Sequence, residues 1–108
     1  MTSELEFQRQ VDDLAKLRGW KKLALDVVQK KRATGTARGW PDRVYFRRGR
    51  IVVLEMKAEK GGVVSAEQRA WLDIWCDVAS VANRSDELSV TVAVVKPSDM
   101  ATISRWLA

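Results

Sequence analysis

Asp42-Arg43-Val44-Tyr45-Phe46, Arg47-Arg48-Gly49-Arg50, Ile51-Val52-Val53-Leu54-Glu55-Met56-Lys57: this continuous run decides the fold. Two segments rich in β-branched and aromatic residues, 42–46 and 51–57, flank a short basic stretch containing glycine. That arrangement predicts a tight β-hairpin. Strand side chains alternate between faces, so Glu55 and Lys57 share a face with Ile51 and Val53 while Leu54 and Met56 take the other. A loop of two residues (Arg48-Gly49) or of four (47–50) pairs Phe46 with Ile51. Counting back from that pair sets Asp42 opposite Glu55. A three-residue loop would shift the register and separate them.

Working outward, residues 3–18 carry apolar side chains near helical spacing (Leu5, Val11, Leu14, with Phe7 and Leu17). Ser3-Glu4-Leu5-Glu6 fits a capping box, and Gly19 is placed to end the helix. Residues 23–29 alternate and become β-branched, predicting a strand. Lys30-Lys31-Arg32 then opens a basic loop that runs through Arg38 to Gly39. Beyond the hairpin, Gly61-Gly62 breaks the chain. Ser65-Ala66-Glu67-Gln68 starts a second helix bearing Trp71, Leu72, Trp75 and Val78. Valine-dense 88–96 predicts a further strand, and 99–107 a last short helix. The expected order is α-β-β-β-α-β-α, an α/β domain spanning 1–108.

Composition removes several chemistries. The 108 residues include no histidine and one cysteine, Cys76. Ser-His-Asp and Cys-His catalysis, imidazole acid–base work and Cys/His zinc sites therefore lack their parts. A metal here must be held by oxygen, which favours Mg²⁺ or Mn²⁺. The net charge of +5 and pI near 9.7 suit a polyanionic partner. With no apolar run of membrane-spanning length and no signal-peptide pattern at Met1-Thr2-Ser3-Glu4, a cytoplasmic location is expected.

Two carboxylates facing each other across a ladder repel unless a cation lies between them. A divalent metal between Asp42 and Glu55, with Lys57 two residues on along the same face, makes a set able to activate a water and offset charge on a phosphate. The plainer reading makes Asp42 a turn residue after Pro41, and Glu55 and Lys57 solvent-facing strand residues. The apolar company of Ile51 and Val53 on their face argues against it.

Gly39-Trp40-Pro41-Asp42, Leu54-Glu55-Met56-Lys57, Gly62-Val63-Val64-Ser65-Ala66-Glu67-Gln68 and an N-terminal Glu4-Leu5-Glu6-Phe7-Gln8 together resemble the VRR-NUC branch of the PD-(D/E)xK nuclease superfamily. The resemblance spans nearly the whole chain, as in stand-alone phage and bacterial versions. It implies a restriction-endonuclease-like core with a mixed sheet flanked by helices, located in the cytoplasm of a bacterial or phage-infected cell. It implies that Asp42 and Glu55 ligate Mg²⁺ (Mn²⁺ substituting), joined by the Met56 backbone carbonyl and a first-helix glutamate. Glu4 is preferred over Glu6, which has a capping role beside Ser3. Lys57 would be the catalytic lysine and Gln68 would reach back to the site, although Ser65-x-x-Gln68 is also a capping box. Trp40 departs from the smaller apolar residue expected there.

The resemblance also implies branched DNA, with a Holliday junction as leading substrate, and a homodimer. Trp71, Trp75 and Trp106 offer aromatic surface for such an interface. Lys30, Lys31, Arg32 and Arg38 lie before Asp42 and are the preferred phosphate contacts, while Arg47, Arg48 and Arg50 at the hairpin tip extend the track or solvate a turn. The competing readings are a non-catalytic nucleic-acid-binding module, indifferent to loss of Asp42, Glu55 and Lys57, and a protein-interaction domain built on the tryptophan-bearing helix.

Overall fold

The computed structural model describes residues 2–25 and 38–108. Helix α1 (Glu4–Leu17) is followed by strands β1 (Lys21–Leu23), β2 (Arg43–Arg47) and β3 (Arg50–Met56). Helix α2 (Ala66–Ala82), strand β4 (Ser89–Val95), a 3₁₀ turn (Pro97–Asp99) and helix α3 (Met100–Trp106) complete the order. The described strands form a mixed sheet in the order β1-β2-β3-β4, antiparallel except for the parallel β3–β4 pair that α2 connects. The expected mixed α/β sheet flanked by helices is therefore present. No helix among the described residues is long and apolar enough to cross a membrane.

The hairpin closes with the shorter of the two loops. Phe46 pairs with Ile51 and Arg47 with Arg50, leaving Arg48-Gly49 as the turn. Both turn residues have positive φ (40° and 75°), the mirror-image conformation whose twist suits antiparallel strands. The last pair at the other end is Arg43–Leu54. Asp42 and Lys57 lie just outside the strands, so the ladder stops one pair short of the expected Asp42–Glu55 pair and the Asp42 carboxylate turns instead to the Met56 N–H.

Two other expectations shift. The first strand occupies 21–23 instead of beginning at 23, because Gly19, at φ 81°, ends α1 and buried Trp20 leads straight into pairing of Lys21 with Phe46. Residues 26–29 of the predicted strand lie outside the described residues. On α1 the buried positions are Phe7, Val11 and Ala15, with Leu14 packed beside them, whereas Leu5 and Leu17 are exposed. Positions 7, 11, 14 and 15 share one face at 100° per residue, and position 5 falls about 160° away from position 7.

The sheet separates two layers. Val52, Leu54 and Met56 join Phe7, Val11, Tyr45, Ile103 and Leu107 in a core under α1 and α3. Each such side chain contributes about 1.5–3 kcal/mol relative to exposure. Alternation turns Val44, Val53 and Glu55 to the opposite face, where α2 covers β4 and buries Leu72.

The hairpin arginines have a structural task. The carbonyls ending a helix have no partner within it and carry the negative end of its dipole. Arg50 donates to the carbonyls of Trp106 (2.6 Å) and Ala108 (2.7 Å), and Arg47 to Ala108 (2.8 Å) and Arg18 (2.9 Å). Trp20 Nε1 donates to Leu107 O at 3.0 Å, and both guanidiniums lie over the Trp20 ring at 4.8 and 4.9 Å. These contacts clamp α3 to the hairpin.

Candidate active site

Asp42 stands at the mouth of β2. Its Oδ2 accepts from the Met56 backbone N–H at 2.8 Å, fastening the carboxylate to the end of β3. Upstream, Gly39 packs against α2 so closely that a Cβ would lie 2.3 Å from Glu67 C and 2.5 Å from Gln68 N. The segment Gly39-Trp40-Pro41 is thereby pinned to the first turn of α2. Trp40 meets Trp71 and Trp75 edge-on, with ring centroids 4.9 and 5.9 Å away, so it packs within the protein rather than standing out as a stacking platform.

Glu55 is 1% exposed, the one charged side chain buried among the described residues. A solvent-facing Glu55 is thus excluded. Its Oε1 accepts from Gln68 Nε2 at 2.9 Å and faces Lys57 Nζ at 3.6 Å. Lys57 Nζ also donates to Gln68 Oε1 at 3.0 Å, while its backbone N–H is held by Val95 O at 2.8 Å. Its stem runs against Gly62, where a Cβ would come within 2.6 Å of Lys57 Cβ. A closely approaching backbone thus fixes the course of the lysine.

Gln68 fills both roles open to it. Its Oε1 accepts from Ser65 N at 2.9 Å and its own N–H donates to Ser65 Oγ at 3.1 Å, a complete capping box. The same side chain joins Glu55 to Lys57.

Other expected members sit elsewhere. Glu4 and Glu6 are exposed on the first turn of α1, where Glu6 N–H donates to Ser3 Oγ at 3.1 Å. Among the described residues no three His, Cys, Asp or Glu side chains are grouped to hold a metal, so Glu4 is not gathered with Asp42 and Glu55. Lys30, Lys31 and Arg32 lie outside the described residues. Arg38 is exposed beside α2, and Arg48 is exposed at the hairpin turn. Arg47 and Arg50 are engaged with the end of α3, so they sit in a clamp rather than along an open phosphate track. Trp106 is half-buried against the main core.

One positioning device escaped the sequence reading. Arg43 Nη1 donates to Asp42 O at 2.8 Å, while its Nε and Nη2 grip Asp12 of α1 at 2.8 and 3.0 Å. Tyr45 Oη and Lys22 Nζ donate to the same carboxylate at 2.7 and 3.2 Å. Burial alone would raise the Asp12 carboxyl, but the bonds from Arg43 and Tyr45 and the Arg43 charge hold it below its ordinary value. Burial likewise opposes the Arg43 charge, and Asp12 more than restores it. Burial and Asp12 push the Tyr45 hydroxyl far up, so it stays a donor. A strand arginine and tyrosine two apart, facing a helix, signal a need for a carboxylate. Which α1 residue supplies it is a long-range matter.

A depressed carboxyl contributes stability that is complete above its unfolded pKa and disappears as pH falls through the folded value. Asp12→Asn is therefore expected to destabilise the fold by about 2 kcal/mol at neutral pH, leaving Arg43 partly buried without its countercharge. The gap from the parent protein should close below about pH 4. Urea titrations of both proteins across that range check this; a gap independent of pH would refute it.

Glu55, Lys57 and Gln68 thus form one bonded cluster at the end of β3 and the start of α2, and Asp42 is tied to the backbone of Met56, the residue after Glu55. Compared with known proteins, the chain matches no family model, no curated protein and no solved structure.

Proposed function

We propose that this chain is a metal-dependent deoxyribonuclease with a PD-(D/E)xK-type core of the VRR-NUC kind, hydrolysing phosphodiester bonds in branched DNA such as a Holliday junction. The observation that supports it most is the buried Glu55 held against Lys57 and Gln68, with Asp42 tied to the neighbouring Met56 N–H. Burying a carboxylate is costly, and a fold organised purely for stability has little reason to keep one beside a lysine at the end of a strand.

The donor set is oxygen alone, the kind a hard divalent cation takes. Asp42 and Glu55 would hold the ion through carboxylate oxygens, with the carbonyl of Met56, the last residue of β3, as a third ligand. Bound there, Mg²⁺ (or Mn²⁺) supplies Lewis acidity that polarises a phosphate and acidifies a water. Lys57 is the residue to orient the attacking water and to offset the charge that grows on the phosphate oxygens. Gln68 holds the ammonium in place through its Oε1 and fixes Glu55 through its Nε2. Basic residues outside the clamp, Arg38 and Arg48, are suited to contact the DNA backbone, and a homodimer would present two such sites to a four-way junction.

The test is incubation of the purified protein with a labelled four-way junction, a flap and a matched duplex, in Mg²⁺, Mn²⁺ or EDTA. Cutting is expected with metal and not with EDTA, with the junction preferred. Lys57→Ala should reduce it at least ~100-fold, with a melt run beside it to measure the stability lost when buried Glu55 loses its countercharge. Binding without cutting under every metal condition would replace this reading with a non-catalytic DNA-binding module.

A further inference from the structure

On the flank of α2, over the first turns of the helix that carries Gln68, lies a shallow cavity of about 190 Å³ lined by Arg38, Glu67, Ala70, Trp71 and Ile74. Two chain connections fix its position. Arg38 directly precedes Gly39, whose backbone rests on the Glu67–Gln68 peptide. Glu67 directly precedes Gln68, whose side chain holds Glu55 and Lys57. The cavity and the carboxylate–lysine cluster are thus carried by the same opening turn of α2.

The lining has a definite chemistry. Trp71 supplies an aromatic wall, and Ile74 (52% exposed) and Ala70 supply aliphatic surface. Glu67 is an acceptor at the rim and Arg38 a cation there. The volume falls below the ~300–1,000 Å³ of pockets for ordinary small molecules, leaving room for one flat ring system. Trp71 is held by its edge contact with Trp40, so the wall is ordered before anything arrives and little entropy is lost on binding.

We propose that this cavity receives one unpaired nucleobase of a DNA strand, stacked against Trp71 and Ile74, with the adjoining phosphate on Arg38. The inference rests on the nuclease reading for its role beside a scissile bond, but not for its capacity to hold a base. A base inside a continuous duplex is paired and stacked and cannot enter. The cavity therefore selects DNA with single-stranded character next to the cut: a flap, a gap, or the open centre of a junction. Base–aromatic stacking tolerates any sequence, so the selection is for strand state rather than for a recognition sequence.

The experiment uses the full chain in EDTA, where binding is read without cutting. Fluorescence anisotropy compares a labelled single-stranded oligodeoxynucleotide with the same backbone carrying abasic sites in place of its bases. Both carry equal charge, so phosphate contacts cancel in the ratio. The parent protein should bind the base-bearing strand about tenfold more tightly. Ala70→Phe, which places a ring in the cavity from an exposed helix position, should bring that ratio close to one; Ile74→Gln, which removes the aliphatic wall, should lower it. Thermal melts of both variants verify that α2 is intact. Equal binding of the two strands by the parent protein, binding of neither, or a ratio unchanged in both variants overturns the proposal. A persistent base preference without any metal-dependent cutting would leave the pocket standing and remove the nuclease reading.

Discussion

Gly39→Ala is expected to lose about 3 kcal/mol of stability, and with it the geometry of the site. Two costs combine. The backbone at position 39 has φ of 77°, a region that costs a residue with a Cβ roughly 1–2 kcal/mol. The new methyl would also lie 2.3–2.5 Å from the Glu67–Gln68 peptide, which belongs to a helix and cannot yield as a flexible side chain would. Overpacking of that kind typically adds about 1–3 kcal/mol. In a domain of this size the sum should lower the melting temperature by roughly 10 °C or more. Gly61→Ala is the matched control: φ is 80° there, yet nothing lies within 4 Å of a Cβ, so only the backbone cost of about 1–2 kcal/mol applies. Circular-dichroism melts of the two variants measure the difference. If they fall equally, the contact between Gly39 and α2 does not brace the site. Where Gly39→Ala still folds in the cold, displacement of the α2 start moves Gln68 and cutting should fall with it.

Glu55→Gln should separate chemistry from stability. The amide keeps the shape and can still accept from Gln68, so the side-chain packing survives, while the buried charge and its desolvation cost are removed. The variant is expected to melt within a few degrees of the parent, because relief of the Glu55 desolvation offsets the lost countercharge of Lys57. Metal-dependent cutting should nevertheless drop at least ~100-fold, since a neutral amide is a poor ligand for a hard cation and cannot balance Lys57. Activity lost without stability lost is the mark of a residue kept for function. A melt lowered by many degrees with cutting intact would assign Glu55 to the fold instead.

The part of the molecule legible in the sequence was the part governed by local rules. Alternation and a glycine turn placed Phe46 against Ile51, and Ser65-x-x-Gln68 marked the start of α2 as a cap. Both depend on neighbours within a few residues. Alternation also put Glu55 and Lys57 on one face, where they lie 3.6 Å apart. What was not legible depends on elements meeting across the chain. Arg47 and Arg50 look like a basic tip in sequence, yet they cap a helix more than fifty residues away. Arg43 looks like an ordinary strand residue, yet it joins Asp12 of α1 to the carbonyl of Asp42. Ile51 and Val53 argued that Glu55 does not face solvent, but its full depth was not legible, because the helix laid over a sheet face decides how buried that face is.

The oxygen Oε1 of Gln68 accepts from both Ser65 N and Lys57 Nζ. One atom therefore answers to two masters, the opening turn of a helix and the ammonium of the site. Gln68→Ala would release the helix start and the lysine together, while Gln68→Glu would keep both acceptor contacts and lose the Nε2 that holds Glu55. Position 68 is where the order of a helix start and the setting of the site's lysine hang on a single oxygen.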